Sequence, residues 1–288
     1  MMKNMKKLWA LLLALTMVLS LAACGGSREE TAKEEAPAET QEEQAPVEEN
    51  ADADSDLAYV QDKGVLVVGI TDFEPMDYKD ADGNWIGFDA DMAQAFAESL
   101  GVDAEFVEID WDNKVLELDS QAIDCVWNGM TLTDEVTSAM ECSNAYCNNA
   151  QVVIVPSARA ADYQSVDSVK DLAFAVEAGS AGKAEVEALG ASYTEVQDQA
   201  TALLEVSSGT ADAAVIDSLM AAAMVGAGTS YADLTYTVGL NSEEYGVGFR
   251  KGSDLAAALN EFFQTAYADG SMQKTAETYG DQAALIEQ

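Results

Sequence analysis

The feature that most limits how this chain folds is an alternation of short apolar runs with amphipathic stretches, first seen at Gly64-Val65-Leu66-Val67-Val68-Gly69-Ile70. That run is apolar without alternation, the pattern of a strand covered on both faces. A loop carrying Pro75 follows, then the turn residues Asp80-Ala81-Asp82-Gly83-Asn84. Asp89 reads as an N-cap, Met92, Phe96 and Leu100 fall on one helical face, and Gly101 suits a stop, so a helix is expected over 90–100. The unit repeats with a strand over 104–109, a short helix after Trp111-Asp112 carrying Val115 and Leu116, and a strand ending at Trp127. Strands alternating with helices build βαβ units and a largely parallel sheet.

A second series begins at Gln151-Val152-Val153-Ile154-Val155-Pro156. Strands are expected over 172–176, 193–196, 211–216 and 234–238, with helices over 181–189, 200–206 and 218–225. The chain closes with a strand over 245–250 and a helix capped by Asp254 that buries Leu255, Leu259, Phe262 and Phe263. Gly270 ends that helix before a last short one to Tyr279. Two α/β series joined by extended segments predict two lobes, with the cleft between them as the ligand site.

Composition narrows the partners. The chain has 52 acidic and 14 basic residues, so nucleic acid and anionic membrane surfaces are repelled, while a cationic ligand is attracted. It has no histidine, which removes Ser-His-Asp and Cys-His nucleophiles and His-containing zinc sites. Cys125, Cys142 and Cys147 are expected as buried free thiols, with a Cys142–Cys147 disulfide as the minority reading. Neither a metal nor a cofactor is expected, and the protein should be a monomer.

The first residues carry Lys3, Lys6 and Lys7, then an uncharged run over 8–23 ending Leu21-Ala22-Ala23-Cys24, which reads as a secretory signal over 1–23. The Leu-Ala-Ala-Cys box resembles a bacterial lipoprotein signal, which implies that Cys24 is lipidated and anchors the protein to the cell membrane from outside the cytoplasm. From 24 to 56 the chain is acidic and almost without aliphatic residues, as expected of a disordered tether.

The ligand is expected to meet Cys125-Val126-Trp127-Asn128-Gly129-Met130-Thr131-Leu132-Thr133-Asp134-Glu135-Val136, a strand followed by a loop with exposed amides and hydroxyls. Gly179-Ser180 precede a helix and offer an anion site at its N-terminus. Asp217 ends a strand and is a candidate acid, or the N-cap of the helix from Ser218. Phe73, Trp111 and Trp127 are candidate walls, with core packing as their ordinary alternative.

Six phrases, "G-V-L-V-V-G-I-T", "D-G-N-W-I-G-F-D-A-D-M-A", "I-D-C-V-W-N-G-M-T-L-T", "V-E-A-G-S-A-G", "A-D-A-A-V-I-D" and "E-E-Y-G-V-G-F-R-K-G-S-D-L", resemble in order the type 3 solute-binding proteins of ABC importers for polar amino acids. The resemblance implies a type II periplasmic-binding-protein-like fold of two lobes, each a central sheet flanked by helices. Lobe 1 would span 57–147 and return over 242–288, lobe 2 would span 148–241, and a two-strand hinge would join them. It implies a receptor that closes on a small polar solute, most of all an amino acid, and delivers it to a membrane permease. Asn128, Gly129 and Thr131 would cradle the ligand's ammonium and carboxylate, Gly179-Ser180 the carboxylate, and Asp217 the ammonium.

Val136 departs from the family, which carries there an arginine that grips the carboxylate. Either Lys183 and the helix N-terminus hold a carboxylate instead, or the solute is an amine or other non-carboxylate. Some relatives of the family are dehydratases, but Asp72, Glu74 and Glu177 read as solvated loop carboxylates, and no enzyme is expected. A sensor domain is a third reading, weakened by the lack of any further apolar run after the last helix.

Overall fold

The computed structural model describes residues 55–288. The expected signal, the Cys24 anchor and all of the tether but Ser55 and Asp56 lie outside them. Those two residues already belong to the folded part: Ser55 caps helix α1 (Asp56–Lys63) by accepting from the Ala58 amide at 3.0 Å.

In chain order there follow β1 (Val65–Ile70), the hairpin strands β2 (Tyr78–Lys79) and β3 (Trp85–Ile86), α2 (Phe88–Leu100), β4 (Asp103–Glu108), a 3₁₀ turn (Trp111–Asn113), α3 (Lys114–Asp119), β5 (Cys125–Thr131), α4 (Asp134–Ala139), β6 (Glu141–Cys142) and β7 (Cys147–Asn149). The second series holds β8 (Gln151–Pro156), α5 (Val166–Val169), β9 (Ala173–Glu177), α6 (Ala181–Leu189), β10 (Ser192–Val196), α7 (Gln199–Ser208), β11 (Ala213–Asp217), α8 (Ser218–Met224) and β12 (Leu234–Gly239). Then come β13 (Glu243–Phe249), α9 (Leu255–Asp269) and α10 (Ser271–Tyr279).

These strands form two principal sheets, one in order β4-β1-β5-β13-β6 with β7 also on β13, the other in order β10-β9-β11-β8-β12. The fold is mixed rather than largely parallel. In the first sheet β1 is parallel to β4 and β5, while β13 is antiparallel to β5, β6 and β7. In the second, β9 is parallel to β10 and β11, while β8 is antiparallel to β11 and β12. The reason is where β8 and β13 enter: each starts beside the carboxyl end of a parallel strand, Gln151 opposite Asp217 and Tyr245 opposite Thr131, and runs away from it. The chain therefore crosses twice between the lobes, at β7 to β8 and at β12 to β13, and Glu243 pairs with Asn149 there.

The first lobe's core is aromatic. Trp127 is fully buried, with its ring centroid 6.2 Å from Phe96 and 5.6 Å from Phe263. It is a core residue and no wall of the cleft. Burial of such rings dominates the stability of a lobe this size. Cys125, Cys142 and Cys147 are free, Cys142 being only half-buried.

Several local expectations give way to tertiary contacts. Helix α2 starts two residues early with Gly87 as N-cap, and Asp89 is buried inside its first turn. Asp254 leaves its own helix uncapped and accepts instead from the Leu57 amide of α1 at 2.9 Å. Leu116 is exposed, and α3 turns Lys114 and Leu118 inward. Arg250 grips Asp56 at 2.8 Å and the Ile123 carbonyl at 2.9 Å, tying α1 to the first sheet.

Candidate functional site

Strand β5 does not end at Trp127; it continues through Asn128 and Gly129 to Thr131, so the polar residues expected in an open loop lie in the sheet. Asn128 is buried and both ends of its amide are engaged. Its oxygen accepts from the Thr71 amide at 2.9 Å and the Thr71 hydroxyl at 2.6 Å, and its nitrogen donates to the Thr71 carbonyl at 3.2 Å and to Asp77 at 2.8 Å. The side chain thus locks the first cleft loop rather than standing free for a ligand. The Gly129 amide donates to Asp89 at 2.6 Å, and the Thr131 hydroxyl donates to Glu243 at 2.8 Å. Gly129 has φ +54°, and a β-carbon there would come within 2.3 Å of the Phe73 ring, so only glycine lets Phe73 lie over the strand.

The second lobe brings the carboxyl ends of β9 and β11 to the same place, where an open α/β sheet binds ligands. Ser180 caps α6 by accepting from the Lys183 amide at 3.1 Å. Gly179 has φ +69°, and a β-carbon on it would meet Asp112 of the first lobe at 2.7 Å, so the two lobes are in close contact there. A cavity of about 20 Å³ is walled by Phe73, Trp111 and Gly129 on one side and by Glu177, Ser180 and Asp217 on the other. It shares Trp111, Ser180 and Ala181 with a larger one of about 390 Å³ that also reaches Lys114, Thr131, Val136, Gly179 and Lys183.

Asp217 is buried and surrounded by neutral donors. Gln151 donates to it at 2.9 Å and Tyr245 at 2.8 Å, and the amides of Asn149 and Gln199 also donate. It sits at the N-cap position of α8 without a side-chain cap bond. Burial, and then the nearby Glu243, raise its pKa to about 7 against the pull of Gln199 and Tyr245. Glu177 is no solvated loop acid: it is 3 % exposed, ends β9, and burial with the neighbouring Asp217 pushes it up to about 8. Asp72 and Glu74 are raised more mildly, again by burial first.

Lys183 lines the larger cavity, but its ammonium is paired with Glu195 at 2.7 Å. Sequence reasoning missed the amides of Asn149, Gln151 and Gln199 and the carboxylate of Glu243, which gather at the crossing strands. It also missed Lys114, whose place three residues after Trp111 on one helical face was the available signal. Among the described residues no group of three His, Cys, Asp or Glu is placed to hold a metal, and no helix is long and apolar enough to cross a membrane.

Residues 66–282 match the family described as bacterial extracellular solute-binding proteins, family 3. The chain belongs to that family. It is 27 % identical over 238 residues to the L-cystine-binding protein TcyJ of Escherichia coli (strain K12), covering 77 % of this chain and 85 % of that one. It is 28 % identical to the arginine-binding extracellular protein ArtP of Bacillus subtilis (strain 168), over 94 % of this chain and 96 % of the other. An ABC uptake transporter substrate binding protein from Streptococcus pneumoniae, solved with bound histidine, superposes with a TM-score of 0.73 at 29 % identity, covering 81 % of this chain and 99 % of that one. A cyclohexadienyl dehydratase of Pseudomonas aeruginosa is 29 % identical over only 40 % of this chain. The two-lobe type II fold is that of the family's solved members, and most of the relatives are binding proteins rather than enzymes.

Proposed function

We propose that this member of family 3 is the receptor of an ABC importer and that it takes a small α-amino acid between its lobes, with no chemistry performed on it. The observation that carries the reading is a cavity of about 390 Å³ continued, through shared Trp111, Ser180 and Ala181, by a small recess of about 20 Å³ that is walled by Phe73 and Trp111 of the first lobe and by Ser180 and Asp217 of the second. A ligand touching both walls stabilises the closed form, because only that form offers all the contacts together.

Asp217 holds the ligand's ammonium. Its donors are neutral, so a cation supplies the missing counter-charge in a charge-assisted hydrogen bond. Phe73 and Trp111 flank the ligand's stem, and the Gly129 carbonyl and the Ser180 end of α6 complete the contacts with ammonium and carboxylate. Asn128 and Thr131 act indirectly, by fixing Thr71 and Glu243. The Cys24 lipid anchor and delivery to a permease belong to the same proposal, as do the lobe limits 57–147, 148–241 and 242–288 and the monomeric state.

A second reading, an amine or other cation without a carboxylate, draws on Val136 and on the paired acids Asp217 and Glu177. A thermal-shift panel on ligand-stripped protein separates the two. At a hundred times its dissociation constant a ligand adds ~2.7 kcal/mol. Melting temperatures should rise with α-amino acids and not with their decarboxylated amines. A rise with amines alone contradicts the first reading, and recovery of a chemically altered solute contradicts the absence of chemistry.

A further inference from the structure

Among the lysines and arginines of the described residues, Lys114 is the buried one. Its ammonium donates to the Trp111 carbonyl at 3.1 Å and, across the cleft, to the Gly179 carbonyl at 3.0 Å. It also lies 4.9 Å from the centroid of the Trp111 ring. An ammonium has three donors, and these bonds use two. Lysines 63, 79, 170 and 183 and both arginines in this region form salt bridges to acids; Lys114, Lys251 and Lys274 form none with any described residue, and of these three only Lys114 is buried. Glu177, Glu135 and Asp112 lie near enough to favour its charge, but none comes within salt-bridge distance, and a cation is costly to bury without a directly bonded counter-ion.

The position explains the cost. Lys114 lines the same cavity as Val136, Gly179 and Ser180, where a ligand's carboxylate would lie against the first turn of α6. Val136 brings no charge to that cavity, and Lys183 is held by Glu195. We propose that Lys114 is the cation that binds the ligand's carboxylate, taking from α3 the part that the family's arginine plays from position 136. The inference rests on the amino-acid reading above. It also gives the carboxylate a part in closure, because the group that receives it already joins α3 of one lobe to Gly179 of the other.

The test is calorimetric titration of wild-type protein and of Lys114→Met, Lys114→Gln and Lys114→Arg with L-arginine, L-histidine and L-glutamine and with the α-carboxamide of each. Truncating one partner of a buried charge pair should weaken acid binding by about 30-fold or more in the Met and Gln variants. Carboxamide binding should stay within about threefold, and Lys114→Arg should restore most of the acid affinity. Should Lys114→Met fail to fold, Lys114→Gln, which can still donate to both carbonyls, carries the comparison. Equal losses for acid and carboxamide would reduce Lys114 to a latch between lobes, and unchanged acid binding would remove it from the site; either result overturns the inference while the amino-acid reading stands. Wild-type protein that binds neither these acids nor any other α-amino acid of the thermal-shift panel would overturn both.

Discussion

Two pairs of buried acids lie on either side of the Asn128-Gly129 segment, and they differ in what their oxygens meet. Asp77 and Asp89 belong to the first lobe. Asp77 accepts from Asn128 at 2.8 Å, and Asp89 accepts from the Gly129 amide at 2.6 Å and the Tyr146 hydroxyl at 2.7 Å. Glu177 and Asp217 end strands of the second lobe and line the cavity. Burial raises all four, Asp77 well above the carboxylate range, Asp89 and Asp217 to about 7 and Glu177 to about 8. Equal burial therefore does not distinguish a structural acid from a binding one. The first pair is bonded to the strand and core it positions, whereas Asp217 is held by side-chain amides and a phenol at the edge of a small cavity.

That difference predicts opposite phenotypes. The largest effect should come from Asp217→Asn, which removes the charge proposed to meet the ligand's ammonium. Affinity should fall by ~100-fold or more, read by calorimetry, while the unliganded protein, in which one of the donors to Asp217 then faces an amide N–H, loses less stability than Asp89→Ala does. Asp89→Ala should do the reverse. It leaves the Gly129 amide and the Tyr146 hydroxyl unpaired in the core and should cost ~2–4 kcal/mol in denaturant unfolding. A loss of stability in Asp217→Asn as large as in Asp89→Ala would erase the distinction.

Gly179→Ala sharpens the comparison at the lobe boundary. The positive φ disfavours alanine by ~1–2 kcal/mol, and its methyl group would press on Asp112, so the closed form should suffer more than either lobe. Affinity should drop about tenfold, on top of the ~1–2 kcal/mol of stability that the backbone strain costs the unliganded protein. The remaining effect concerns pH. A carboxyl whose folded pKa is raised contributes most below its unfolded value near 4, and loses that contribution as pH rises through the folded value. Unliganded wild-type protein should therefore lose stability between pH 6 and pH 8. Glu177→Gln, lacking the group raised to about 8, should lose less, by up to ~1.4 kcal/mol per pH unit. Parallel stability curves for the two proteins would contradict a buried, protonated Glu177.

The framework was legible because apolar runs report their own burial. β8 and α6 fall at the expected residues, and most other elements within two positions of them. What misled was the capping rule, which weighs an acid only against the helix that follows it. Asp89, Asp217 and Asp254 all stand at plausible starts, yet each is claimed by a distant partner: Gly129, Tyr245 and Leu57. The Asn128 to Thr131 stretch misled similarly, since polar letters after a buried strand read as a loop, while here Thr71 and Glu243 satisfy them inside the sheet. Lys114 was hidden because a lysine in a short helix ordinarily belongs to its wet face. The antiparallel strands β8 and β13 follow from the double crossing between lobes, which no local pattern encodes.

The most direct test of the central claim is a crystal structure of the protein with the α-amino acid that raises its melting temperature most. The ligand should lie between Phe73 and Trp111, its ammonium on Asp217 and its carboxylate between Lys114 and the first turn of α6. A carboxylate lying away from Lys114, or a ligand seated outside the Trp111–Asp217 cavity, would contradict the account.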